Sequence, residues 1–312
     1  MPERNVPHRR ARPLDRSGDD FGCHEPPSRV AIVGAGIAGL CCAYELSRRG
    51  VEVVVFEEAG HVGGRMATRV REGLHFDVGA DHLSEHYTYL RSLSAELGVP
   101  WEAMRHFDYA VVRDGQPAPL ARAVGRWSRF KMALQGMRGP RGTDVFDLDT
   151  VAEYDTRNAY EFVFERTGRD AAEYLIDGFC AAYQFHDAHE ISVGTLFALM
   201  ESLRTRLEDW DLCRTTGGMS ALPEALAARL DVRLRSPVSM VRTMGESGGV
   251  ELRTPAGPEQ YDAVGLATTA TTARQILASP TDAQRRILDA VRYSSTISTS
   301  FRVDPDRMPK GT

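Results

Sequence analysis

Between the apolar run 30–33 and a helix-forming stretch that closes at Gly50 lies Gly34-Ala35-Gly36-Ile37-Ala38-Gly39. Three glycines at this spacing act through the backbone. Gly34 allows a tight turn, Gly36 lets the main chain approach a pyrophosphate, and Gly39 lets a helix pack closely on a strand. The start of that helix adds free N–H groups and partial positive charge, so Gly34, Gly36, Ile37, Ala38 and Gly39 are candidates for a phosphate cradle. Glu57 stands 18 residues beyond Gly39 at the end of the β-branched run 51–56, with Glu58 beside it, and a carboxylate there can accept hydrogen bonds from a ribose diol. Gly63-Gly64-Arg65 then offers a second close backbone approach and a forked cation for phosphate. The competing reading is a glycine-rich turn with no ligand. A strand before the glycines, a helix after them and an acid at this distance favour dinucleotide binding.

The elements that must position these groups follow from periodicity. The spacing predicts strands over 30–33 and 51–56 around a helix to residue 49, then helices over 87–97, 122–135, 159–166, 170–182 and 193–207, the last with Ser192 as N-cap. Near Thr215 the pattern changes. A helix over 220–230 is followed by strands over 232–234, 238–244, 250–254 and 261–267, a helix over 271–278 and a strand near 295–303. This layout suits an α/β protein in which a large cofactor lies extended on a discontinuous nucleotide-binding domain, 29–80 with 215–280. An inserted, largely helical substrate domain takes 81–214 and 281–312. Residues 1–28, rich in Pro, Arg and Asp, read as a disordered leader.

The stretches VAIVGAGIAGL, VVVFEEAGHVGGRMATR and FDVGADHL, with TTGGMSALPEALAARL, SPVSMV and YDAVGLATTA downstream, together resemble the flavin-containing amine oxidase superfamily. That superfamily includes amine oxidases, protoporphyrinogen oxidases and phytoene-type desaturases, and residues 153–277 are most similar to the protoporphyrinogen oxidase and desaturase branch. The resemblance implies a glutathione-reductase-type Rossmann domain, FAD as cofactor, and an oxidoreductase acting on a C–H bond of an apolar, polyunsaturated or porphyrin-like small molecule. Gly34, Gly36 and Gly39 would hold the FAD pyrophosphate and Glu57 the adenosine ribose. Gly63, Gly64 and Arg65 would run toward the flavin, with Gly79 giving the ring clearance. Val238 would meet the adenine through its backbone, and Thr268 would follow the strand returning beneath the cofactor. Family chains also carry a later strand, Gly-Asp turn and helix near the flavin, whereas Gly-Asp occurs here only at Gly18-Asp19. The substrate domain is therefore expected to be incomplete, with self-association or a complementing polypeptide as the corresponding partner. A non-catalytic remnant, or one component of a split flavoprotein, is the rival function. A use of FAD without net redox, as in related mutases and isomerases, is a third.

Lysine is confined to Lys131 and Lys310, which disfavours the amine oxidase subtype that places a lysine near flavin N5. No side chain is assigned as acid or base. His82 and His86 fit H-x-x-E-H, and two histidines four apart on a helix could hold a metal, but the flavin reading already accounts for that segment, and no metal is expected. His186 and His189 read as exposed loop residues. Five cysteines without a C-x-x-C pair argue against a disulfide framework or zinc site and suit a reduced, cytoplasmic protein. A net charge of −5 argues against nucleic acid as the main partner, and the longest uncharged run, 15 residues with three glycines, is too short to span a membrane. Between Asp114 and Asp144 there is no acid, yet Arg122, Arg126, Arg129, Lys131, Arg138 and Arg141 occur there, with Trp127, Phe130 and Leu134 on another helical face. That stretch reads as a solvated helix face, or as a contact for anionic lipid or an acidic substrate.

Overall fold

Strand β1 (Arg29–Val33), helix α1 (Ile37–Ser47) and β2 (Glu52–Phe56) form the first unit, and β1 and β2 pair in parallel from Arg29↔Glu52 to Val33↔Phe56. Both strands are almost wholly buried because each face of the sheet is covered, which is why their sequences are continuous Val/Ile runs rather than alternating ones. The computed structural model describes residues 27–84, 87–104, 110–113, 115–135, 139–205, 212–245, 248–297 and 299. The leader reading as far as residue 26, Gly18-Asp19, His86, Arg138, Lys310 and residues 298 and 300–303 of the expected strand at 295–303 lie outside them; 291–297 form no strand.

After β2 come a hairpin, β3 (Thr68–Arg71) with β4 (Leu74–Asp77), then the short strand β5 (Leu83–Ser84), helix α2 (Thr88–Leu97) and strand β6 (Trp101–Ala103). A second hairpin, β7 (Ala110–Arg113) with β8 (Gln116–Pro119), leads into α3 (Leu120–Ala123) and α4 (Arg126–Gln135). The single helix expected over 122–135 is thus two: the chain breaks at Val124–Gly125, where the Gly125 N–H donates to Asp170 Oδ2 at 3.0 Å. Arg122 therefore does not share one helical face with Arg126 and Arg129.

Helix α5 (Ala159–Thr167) is capped by Asn158, whose side chain accepts from the Glu161 N–H. It packs on a rod made of α6 (Arg169–Ala171), a π-helical stretch over Ala172–Asp177 and α7 (Gly178–Tyr183). Helix α8 (Val193–Thr205) follows, with the Gly194 N–H donating to Ser192 Oγ, as the N-cap reading requires. Phe162, Val163, Ile176, Leu196 and Phe197 form the core of this helical cluster. Strand β9 (Leu212–Thr215) then returns between β5 and β6 to make a three-stranded antiparallel sheet. The inserted region is accordingly not helical throughout, because strands only two to four residues long leave too brief an alternation to read from sequence.

The last third comprises α9 (Ala221–Ala227), β10 (Asp231–Arg233), β11 (Met240–Thr243), β12 (Val250–Thr254), β13 (Gly257–Tyr261), β14 (Ala263–Leu266), α10 (Ala270–Ile276) and α11 (Asp282–Ala290). Strands β10 and β14 join the first unit to give a parallel sheet of order β10-β2-β1-β14. Strands β11, β12 and β13 form a separate antiparallel meander. The run 261–267, expected as one strand, is split at Asp262, whose carboxylate accepts from the N–H groups of Ser28 and Arg29 at 2.8 Å each. One side of that corner pairs in the meander and the other in the parallel sheet. Side chains alternate across the parallel sheet: Val30, Ile32, Val53 and Val55 face Leu40, Met219, Leu222 and Leu226, while Ala31, Val33, Val54 and Phe56 face the meander through Val241, Leu252 and Tyr261.

Candidate functional site

At the carboxyl ends of β1 and β2 the first glycine is in the left-handed region, with Gly34 at φ 105° and its N–H donating to Phe56 O at 2.8 Å. A side chain at Gly34 would meet the Ala267 carbonyl at 2.8 Å and the Thr268 methyl at 3.5 Å, which places Thr268 directly beside the turn. Gly39 has no room at all, since a Cβ there would run into the Gly34 carbonyl. Gly36 is the opposite case: nothing lies within 4 Å of the position its Cβ would take. It is also the N-cap of α1, with extended backbone, no side-chain cap and no acid in the first turn. The helix thus starts without a side-chain cap, beside a position that Gly36 leaves clear, and the first N–H groups of a helix have no partner within it.

The second glycine pair closes on the first. Gly63 bridges to Gly36 in parallel fashion, its N–H donating to Ala35 O at 2.9 Å, and a Cβ on Gly64 would come within 3.4 Å of the Gly36 Cα. Gly63 and Gly64 are both left-handed, at φ 101° and 55°. Glu57 ties the first turn to the end of its own strand: its Oε2 accepts from the Ala35 N–H at 2.7 Å and its Oε1 from the Ala59 N–H at 2.9 Å, four residues before Gly63. A carboxylate has about four acceptor positions, so two remain for a diol. Glu58 next to it is exposed, and Arg65, also exposed, carries its side chain out from the 63–66 turn.

Gly79 is tight for a reason the sequence did not reveal. Its missing side chain accommodates the Arg65 carbonyl, which in turn accepts from the Ala80 N–H at 2.9 Å. Val238 is in the core by its side chain, packed with Val241 and Leu252, so only its backbone is available to a ligand.

Two residues not singled out as site members knit these segments together. Asp77 Oδ1 accepts from the Thr68 hydroxyl and from the Met219 N–H at 3.0 Å, while Thr68 Oγ1 accepts from the Ser220 N–H at 3.0 Å. A Cβ on Gly218 would collide with Thr68 at 2.6 Å. The segment containing Thr215-Thr216-Gly217-Gly218 is thereby fixed to the hairpin that precedes Gly79. The sequence carries no signal for this pairing, since the acid and the amide it accepts from are 142 residues apart.

The other candidates do not assemble. Leu83 and Ser84 are in a strand, so the H-x-x-E-H segment is not the helix that two histidines four apart would need, and the His82 ring instead lies 2.7 Å from Asp81. His189 stacks on Tyr160 with ring centroids 4.0 Å apart. No group of three or more metal-ligating side chains occurs among the described residues. Lys131 sits on α4 with its ammonium 5.7 Å from the Trp127 ring.

A bare helix N-terminus, two interlocked glycine turns and a bridging acid at the end of the second strand define a Rossmann-type site for a dinucleotide. Residues 37–305 match the model of the flavin containing amine oxidoreductase family, and the chain belongs to that family, whose members bind FAD. It is 30% identical over 180 residues to protoporphyrinogen oxidase 2, chloroplastic/mitochondrial, of Arabidopsis thaliana, a match covering 53% of this chain and 34% of that protein. It is 27% identical to putrescine oxidase of Kocuria rosea over 73% of this chain and 52% of that one. Among solved structures, wild-type putrescine oxidase bound to putrescine has the same fold, with a TM-score of 0.69 and 23% identity over 85% of this chain and 64% of that chain. The chain spans about a third to a half of the length of the curated relatives it matches. The residues present fit FAD: Gly36 leaves open the space that the pyrophosphate requires, and nothing caps the helix that would face it.

Proposed function

We propose that this protein is an FAD-dependent oxidoreductase that removes hydride from a C–H bond of an apolar, polyunsaturated or porphyrin-like small molecule. The observation that carries the reading is the pair of glycine turns, joined by the Gly63 N–H to Ala35 O bond in front of an uncapped helix, with Glu57 held beside them on the Ala35 and Ala59 amides. The names of the relatives, oxidases of a tetrapyrrole precursor and of a diamine, support the reaction class. The chemistry supplied by a bound FAD would be acceptance of hydride at flavin N5, with oxygen or another acceptor taking up the electrons.

The chain's own residues bind and orient. The N–H groups of Ile37, Ala38 and Gly39 would donate to the pyrophosphate, with the backbone at Gly34 and Gly36 close enough to allow it. Glu57, already held rigid by two amides, would accept from the ribose hydroxyls, with Glu58 adding negative charge beside it. Gly63, Gly64 and Arg65 would line the path toward the flavin, Gly79 keeping that path in place by packing on Arg65. Val238 would meet the adenine through its backbone, and Thr268 would flank the pyrophosphate turn. Preorganised donors of this kind cost little to arrange at the moment of binding, which is what a protein contributes to chemistry carried by a cofactor.

The test is to titrate the purified protein with FAD, record the flavin spectrum, and then add candidate polyunsaturated apolar molecules and reduced tetrapyrroles without oxygen. Saturable binding followed by bleaching with one substrate class supports the reading. Failure to bind FAD overturns it, and binding without bleaching by any donor would favour the non-catalytic alternative.

A further inference from the structure

Helix α4 holds the protein with one side and offers the other to solvent. Ser128 is buried and Met132, one turn on, packs against the helical core, while the helix start is pinned by Asp170. At 100° per residue, Trp127, Phe130 and Leu134 fall within a narrow arc opposite that anchor. All three are exposed, at 67%, 50% and 69%. The Trp127 and Phe130 rings are stacked at 5.5 Å, which makes the apolar surface continuous. Lys131 borders the arc on one side, its ammonium over the Trp127 ring, and Arg126 borders it on the other, with Arg129 beyond. None of these cations is in an ion pair among the described residues, and the sequence has no acid from 115 to 143.

We propose that α4 lies flat on an anionic lipid bilayer, with Trp127, Phe130 and Leu134 inserted among the acyl chains and Arg126, Arg129 and Lys131 at the headgroups. An apolar ridge with cations on its flanks matches the two layers such a surface presents. Spanning is not involved, because no helix among the described residues is long and apolar enough to cross a membrane. A second copy is a poorer fit. Two aromatic side chains of roughly 150–250 Å² each and one leucine fall short of the roughly 800 Å² per partner of a stable interface. Pairing would also bring like charges together. This inference stands apart from the flavin site and does not depend on it.

The experiment is co-sedimentation of the FAD-treated full chain with phosphatidylcholine vesicles, with or without phosphatidylglycerol. Binding should require the anionic lipid and weaken with salt. Replacing Trp127, Phe130 and Leu134 by serine together should lower partitioning more than tenfold, since each loses the burial of a large apolar side chain. A variant carrying Arg126→Gln, Arg129→Gln and Lys131→Gln should lose about a hundredfold at low salt, at about fivefold per cation. Since five of the six side chains are exposed and the half-buried Lys131 contacts the Trp127 ring at the same surface, circular dichroism and Tm should match the parent in both variants. Equal partitioning to both vesicle types, or wild-type partitioning by either variant, overturns the proposal. So does a concentration-dependent dimer that the serine variant abolishes, which would assign the face to a second copy.

Discussion

Glu57 carries two amides of the folded chain and, in the proposed function, the ribose of the cofactor. Its replacement must therefore be read in two ways. Glu57→Ala should weaken FAD binding by about 1.5–3 kcal/mol, the range for hydrogen bonds to a charged group. Glu57→Gln, which keeps an acceptor but places an NH2 against one of the two amides, should fall between. Unchanged FAD affinity in a fluorescence titration of both variants would remove Glu57 from the site. A second residue-scale expectation concerns the thiols. Cys180 is 3% exposed and burial, with Asp177 adding to it, pushes its thiol up to about 11. At pH 8 only about one molecule in a thousand would carry the thiolate. Cys42 is exposed on α1. Position-resolved iodoacetamide labelling of the native protein should modify Cys42 well over tenfold faster than Cys180, and equal rates would contradict the packing of the helical core. A third is a matter of pH. The Arg29 N–H, followed by the Ser28 hydroxyl and amide, holds the Asp262 carboxyl below its usual range. A carboxyl whose pKa is lowered by folding adds stability above its unfolded value of about 3.9, and that contribution is lost as the pH falls through the folded value. Asp262→Asn does not titrate, so it should lower Tm at neutral pH and show a shallower fall in Tm on acidification below about pH 4. Parallel Tm-against-pH curves for the two proteins would show that the corner does not depend on the carboxylate.

Among the elements, the turn between β1 and α1 separates fold from binding within a few residues. A Cβ on Gly39 collides with the Gly34 carbonyl and also comes within 3.0 Å of the Ala267 side chain, so Gly39→Ala forces helix and strand apart. The cost should be about 1–3 kcal/mol or more, as for overpacking in a well-filled interior. Gly36→Ala meets nothing, so Tm should stay close to the parent while the added methyl occupies the space for the pyrophosphate. The measurement is ADP affinity by calorimetry beside thermal unfolding: loss of both in Gly36→Ala would mean the turn cannot accept a side chain, and retention of ADP affinity would move the ligand elsewhere. This turn was fully legible in the sequence, because strand, glycine spacing and helix are neighbours along the chain. Helix α11 has a local signature of the same kind: Thr281 and Gln284 form a reciprocal capping box, T-x-x-Q before an amphipathic run. The break between α3 and α4 could not be read locally, because its cause, Asp170, is 45 residues away.

For the molecule as a whole, a ligand that binds only the folded chain adds RT ln(1 + [L]/Kd), about 2.7 kcal/mol at a hundredfold excess over Kd. FAD at that excess should raise Tm by several degrees at this size, and riboflavin, which lacks the pyrophosphate and adenosine, should raise it far less. Equal shifts would mean that the glycine turns and Glu57 contribute nothing to recognition.

By itself the sequence determined the parallel unit around Gly34-Ala35-Gly36, the acid at its second strand and the family to which these belong, since each rests on short-range spacing and on glycines that no other residue replaces. It also determined the cationic and aromatic make-up of the stretch around Trp127. Only the tertiary structure decided that β9 returns between β5 and β6, that Asp262 splits one apolar run between two sheets, and that Gly79 leaves room for the Arg65 carbonyl. The same holds for α4, where burial of Ser128 and Met132 turns Trp127, Phe130 and Leu134 outward. In each case the partner is distant along the chain or belongs to another element, and hydrophobic periodicity records that a face is apolar without recording what, if anything, covers it.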